Sequence, residues 1–129
     1  MPIAKNLRIL VVDDQKSMRE LARMCLRGLG VEEIDFVESA EAALERLKEA
    51  PFDLIISDWN MEGMTGLEFL KKIRQNPVLA RMPFVMATTE RTAEHVLAAK
   101  SAGVSHYIAK PYSQENFKKT LEQVLGPLT

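Results

Sequence analysis

A single cysteine in 129 residues excludes an internal disulfide and any cysteine-based metal cluster. Cys25 sits on an apolar helix face and reads as a small buried hydrophobe. No stretch approaches the ~18 apolar residues that a bilayer-spanning helix needs. The N-terminus lacks the basic region and apolar core of a signal peptide, so a cytoplasmic location is expected. Neither sign of charge dominates. A net charge of -1 gives no general affinity for nucleic acid or anionic membrane. Repeats, low-complexity tracts and linkers are also missing, and no second domain pattern follows the last helical one. What remains is an ordinary globular composition, 47% hydrophobic and 27% charged. Residues 1–129 are expected to form one domain, burying roughly two-thirds of its unfolded surface without help from a metal or disulfide.

Strand and helix patterns alternate five times along this chain. The first strand covers residues 7–12, Leu7-Arg8-Ile9-Leu10-Val11-Val12, and ends on Asp13 and Asp14. Met18, Leu21, Ala22, Cys25 and Leu29 then share one helix face, which ends between Gly28 and Gly30. A short strand at 34–37 precedes a helix capped by Ser39, with Ala43, Leu44 and Leu47 inward. Its Glu41, Glu45 and Lys48 read as a solvated face. The third strand, 53–57, runs into Asp58 and a loop at 58–65. Leu67, Leu70 and Ile73 mark the next helix, halted near Pro77.

The fourth strand, 84–87, leads to Thr88 and Thr89, and a helix at 92–102 ends at Gly103 with a thin apolar face of Ala93, Val96 and Leu97. Tyr107, Ile108 and Ala109 form the fifth strand, and a helix capped by Ser113 turns Phe117, Leu121, Val124 and Leu125 inward. Strict alternation with short links predicts an α/β fold, a doubly wound five-stranded parallel sheet of order 2-1-3-4-5, flavodoxin-like. Its switch point lies between strands 1 and 3, the two strands that end in acids.

Four strand ends thus bring polar groups to one edge: Asp13 and Asp14, Asp58, Thr88, and Lys110 before Pro111. Gathered carboxylates repel and need a cation, and oxygen-only donors suit Mg²⁺. Asp58 is then a candidate to become an aspartyl phosphate. A hydroxyl and a lysine can each hold a phosphoryl oxygen, and such transfer is mostly positioning and charge neutralisation. Each residue also has a plainer reading. Asp13 and Asp14 could cap the first helix, Asp58 could form a turn, Lys110 could be solvated and Tyr107 a half-buried strand aromatic. The five residues together favour the site. His95 and His106 lie away from any ligand pattern and read as surface residues, and the methionines read as core filler.

In order and spacing, Asp13-Asp14, Asp58, Thr88 and Lys110-Pro111 resemble the receiver domains of two-component response regulators, over the whole chain. The segments Asp58-Trp59-Asn60-Met61, Gly66-Leu67-Glu68 and Tyr107-Ile108-Ala109-Lys110-Pro111-Tyr112 match the stand-alone chemotaxis type, CheY. The resemblance implies that Asp58 accepts a phosphoryl group from a histidine kinase. It implies that Asp14, Asp58 and the Asn60 carbonyl hold Mg²⁺, with Asp13 acting through a coordinated water. Lys110 would contact the phosphoryl group, Thr88 would move in to bond it, and Tyr107 would change rotamer. The surface of the fourth helix, fifth strand and fifth helix would then bind a protein. The implied partners are a chemotaxis-type kinase, the flagellar motor switch or another protein target, and a phosphatase; the chain is expected to be a monomer. The Lys110-Pro111 bond is expected to be cis.

Two departures stand out. Glu62 replaces a proline usual in this loop, and Thr65-Gly66 replaces an Asp-Gly pair. Glu62 weakens metal binding if it points inward and does nothing if it faces water. Trp59, Asn60 and Glu90 sit where the family tunes acyl phosphate hydrolysis. With no DNA-binding or catalytic domain following, output is expected through a protein contact, and the chain catalyses only its own phosphorylation and dephosphorylation. The rivals are a phosphorelay intermediate, separated by mixing with histidine phosphotransfer proteins, and a receiver-like module that is never phosphorylated. A flavin-binding module needs a Ser/Thr/Gly-rich loop where Asp13-Asp14-Gln15-Lys16 stands, and a haloacid-dehalogenase-type phosphatase needs Asp-x-Asp on its first strand. The family pattern at Asn60 and Glu90 predicts a phosphorylated state lasting seconds to minutes. A half-life of hours for the purified phosphoprotein with Mg²⁺ would contradict it.

Overall fold

The computed structural model describes residues 3–89 and 92–128; Glu90 lies outside the described residues. Five strands alternate with five helices: β1 (Arg8–Val12), α1 (Lys16–Gly28), β2 (Glu33–Val37), α2 (Ala40–Glu49), β3 (Leu54–Asp58), α3 (Gly66–Gln75), β4 (Phe84–Thr88), α4 (Ala93–Ala102), β5 (His106–Ala109) and α5 (Gln114–Leu125). All neighbours pair in parallel, in the expected order β2-β1-β3-β4-β5. The acidic ends of β1 and β3 therefore lie side by side at the point where the winding reverses.

Alternation along the central strands builds two cores. Ile9, Val11, Leu54, Ile56 and Val85 face Ala22, Cys25 and Leu26 of α1 and Phe117 and Leu121 of α5. Leu10, Val12, Ile55, Phe84 and Met86 face α2 and α3, where Ala43, Phe69, Leu70 and Ile73 are buried. Burial on both faces explains why these strands read as near-continuous apolar runs. Ser39 and Ser113 cap α2 and α5 as expected, accepting from the backbone N–H of Ala42 at 3.0 Å and Asn116 at 3.1 Å. Thr65 and Glu68 close a reciprocal capping box that opens α3.

Helix α4 differs from expectation. Ala99 is its fully buried residue, Ala98 and Ala102 pack against the core, and Leu97 is 64% exposed. Apolar residues ring this helix instead of forming one stripe, so hydropathy gives no facing direction. Small alanines let the backbone lie close to α3, which leaves the larger leucine outward.

Arg74 ties the loops at the opposite end of the sheet from the acids. Its guanidinium donates to the carbonyls of Gly103 at 2.9 Å, Met82 at 2.6 Å and Ala80 at 3.3 Å. Burial lowers its pKa from the ordinary arginine value. Arg74→Ala strands three carbonyls and is expected to lower the unfolding free energy by about 2 kcal/mol, measured by urea titration. An effect within ~0.5 kcal/mol of zero would mean that the loops hold without it.

Candidate functional site

Backbone bonds continue the sheet ladder past the strand ends and fix the polar residues in place. The N–H of Asp13 donates to Val37 at 3.1 Å, that of Trp59 to Ala87 at 3.1 Å, and that of Lys110 to Thr88 at 3.1 Å. The loop after Asp58 folds back where the Gly66 N–H meets the Trp59 carbonyl at 2.9 Å. A Cβ at Gly66 would overlap the Asp58 carbonyl oxygen and crowd Met86, so the close return requires glycine.

Within this frame three carboxylates converge. Asp13, Asp14 and Asp58 each offer an oxygen, all within 4.8 Å of one another. Asp13 is 1% and Asp58 5% exposed, while Asp14 faces solvent. Lys110 answers two of them, its Nζ standing 2.9 Å from Asp13 Oδ2 and 3.1 Å from Asp58 Oδ1. Its side chain is only 6% exposed. Asp13 also organises the turn, since its Oδ1 accepts from the Gln15 N–H at 2.9 Å. Neither Asp13 nor Asp14 caps α1, because Gln15 occupies the cap position and makes no side-chain cap bond.

The charges do not balance. Three carboxylates face one ammonium, and Asp13 Oδ2 is buried without a hydrogen-bond partner, its approach to Lys110 being off hydrogen-bond geometry. A buried, unsatisfied carboxylate oxygen beside two more hard oxygen donors fits a divalent cation of the Mg²⁺ kind. Burial raises the Asp58 pKa, and Asp13 raises it further; Lys110 and the Asn60 backbone amide pull the other way. Burial, then Asp13 and Asp58, also push the Tyr112 phenol far above its ordinary value, so it stays neutral.

Thr88, the last residue of β4, is 1% exposed, whereas Thr89 is exposed. Tyr107 is half-buried and its hydroxyl donates to the His95 carbonyl at 2.6 Å. Asn60 and Glu62 are exposed, and the Glu62 N–H stands 3.4 Å from Asp14 Oδ2. Gly63, in a left-handed conformation at φ 77°, lies against the Glu41 carboxylate. The Lys110-Pro111 bond is cis.

Two contacts escaped the sequence reading. His95, expected at the surface, is half-buried. Its ring meets the Trp59 ring edge-on, centroids 4.7 Å apart, and its Nδ1 lies 2.7 Å from Thr92 Oγ1. Nothing in the sequence brings residue 95 to residue 59. Arg19 donates to the Asp13 carbonyl at 2.8 Å and approaches Glu38 at 3.5 Å. Its place on the exposed side of the α1 pattern gave no sign of that reach.

Comparison with known proteins places this architecture. Residues 9–122 match the family of the response regulator receiver domain, and the chain belongs to that family. It is 38% identical over 124 residues to chemotaxis protein CheY-3 of Vibrio cholerae, covering 96% of this chain and 95% of that protein. Chemotaxis protein CheY of Pseudomonas aeruginosa is 34% identical over 118 residues, covering 92% and 95%. The structure of chemotaxis response regulator CheY4 of Vibrio cholerae superimposes with a TM-score of 0.85 at 36% identity, over 92% of this chain and 98% of that one.

A raised native pKa means that the fold binds the Asp58 proton more tightly than the unfolded chain does. The contribution of Asp58 therefore favours the fold at acid pH and is lost as pH rises through its native pKa. Without metal, Asp58→Asn is expected to raise the unfolding free energy at neutral pH, because burial and Asp13 penalise the ionised carboxylate that the amide removes while Lys110 keeps Asp13. The gain should vanish below the ordinary carboxylate range. Urea titrations of both proteins in chelator at the two pH values check this, and a lower midpoint for the variant at neutral pH would overturn it.

Proposed function

We propose that residues 1–129 act as a single cytoplasmic response regulator of the chemotaxis type, switched by phosphorylation of Asp58. The observation that carries this reading is the pairing of Lys110 with both Asp58 and the buried Asp13, beside an oxygen set short of positive charge.

Asp14, Asp58 and the Asn60 carbonyl would hold Mg²⁺, with Asp13 acting through a water. Bound there, the ion supplies charge neutralisation to the incoming phosphoryl oxygens. Asp58 provides the attacking carboxylate oxygen, fixed at the end of a fully buried strand. The donor's P–N bond breaks as the O–P bond forms, and the histidine of the kinase departs and takes up a proton from water. Lys110 stands where it balances charge on the phosphoryl group. Thr88, at the end of the neighbouring strand β4, would give that group a hydrogen bond. Tyr107 then leaves the His95 carbonyl, and the surface of α4, β5 and α5 changes. Similarity to CheY proteins of chemotaxis supports a kinase, a flagellar motor switch protein and a phosphatase as partners of a monomeric chain.

Trp59 adjoins Asp58 and is the sole tryptophan, so its fluorescence reports on the site. Titration with Mg²⁺ is expected to give a saturable change, and acetyl phosphate or beryllofluoride a second one. Asp58→Asn should lose the second. Silence toward both additions would turn the reading to a receiver-like module that works without phosphorylation.

A further inference from the structure

We propose that the groove between α2 and the segment joining α3 to β4 docks an amphipathic, basic helix of a protein partner. Two adjoining cavities of 590 and 400 Å³ meet there, sharing Leu47, Lys48, Val78 and Leu79. The floor is apolar: Leu44, Leu47 and Leu79 are half-buried and continue the core beneath. Val78 stands at the edge, 88% exposed, the highest exposure of any large hydrophobic residue among the described residues.

That valine is held out by a braced segment. Asn76 Oδ1 accepts from the N–H of Val78 at 2.8 Å and of Leu79 at 3.3 Å. Arg74 grips the carbonyls of Ala80 and Met82 just beyond. A fixed, exposed apolar side chain beside a preformed apolar trough has the character of a binding surface.

Charge selects the occupant. The lining carries the exposed carboxylates of Glu41, Glu45 and Glu49. Lys48 is the one cation among the lining residues, and it already lies 3.2 Å from Glu45. Arg46, over the Phe52 ring of the second cavity at 5.8 Å, is already paired with Asp35 at 2.6 Å. A helix with apolar residues on one side and lysine or arginine flanking them satisfies trough and rim together. A second copy of this chain would oppose the same acidic rim to itself, and a neutral apolar molecule would leave the carboxylates unmatched. The surface lies on the α2–α3 side of the sheet and its chemistry does not depend on Asp58, so it stands apart from the phosphorylation reading.

The probe is a 14-residue leucine/lysine amphipathic peptide, with a leucine/glutamate peptide of the same apolar pattern as control, titrated into the full chain and followed by methyl NMR. The lysine peptide is expected to shift the methyls of Leu44, Leu47, Val78 and Leu79, and to bind at least ~10-fold more tightly than the glutamate peptide. Val78→Asp should weaken it by about 10-fold, and Glu41→Gln with Glu45→Gln by about 3-fold at low salt. Both sites are exposed, and an unchanged urea midpoint confirms folding. Equal binding of the two peptides, shifts confined to α4, β5 and α5, no shifts at all, or self-association through these methyls would each overturn the proposal.

Discussion

The structure turns on one unfavourable arrangement, the burial of Asp13 and Asp58 side by side with a single lysine between them. Two carboxylates in a dry setting disfavour joint ionisation, and the raised pKa of Asp58 follows from burial and its neighbour. Lys110 offsets part of that cost from a side chain that is itself nearly buried. Such a cluster persists because the surrounding sheet determines where its members stand. The ladder bonds from Asp13 to Val37, Trp59 to Ala87 and Lys110 to Thr88 leave each backbone no alternative position. The unpaired negative charge of the cluster is thereby kept in one place, where it favours a divalent cation.

That demand is located by topology. The parallel sheet reverses its winding between β1 and β3, and helices on both faces keep the strand ends open at one edge. The apolar cores on the two faces carry the fold, and the acids stand at the margin where both cores end.

Much of this was legible in the chain. The alternation of strand and helix patterns gave the fold and the strand order, because a strand buried on both faces has an unmistakable apolar run. The acids, Thr88 and Lys110 were legible by position, since each follows directly on such a run. Serine caps at Ser39 and Ser113 were legible for the same local reason. What failed was non-local or lacked a stripe. The inward face of α4 was misread as Ala93, Val96 and Leu97, because apolar residues surround it and packing distance, not hydropathy, selects Ala99. The half-burial of His95 depends on Trp59, a residue far away in sequence. The bracing by Arg74 depends on two loops, the one from α3 to β4 and the one from α4 to β5.

The first turn of α4 gathers three ties: the Thr92 cap, the Trp59 ring and the Tyr107 hydroxyl. A single neutral hydrogen bond contributes about 1 kcal/mol net, a factor of about five in population. Loss of the Tyr107 bond alone would leave the Thr92 cap and the Trp59–His95 ring contact in place. The ends of β3 and β5 thus meet at the start of α4, so a displacement at either strand end is passed to the same helical turn.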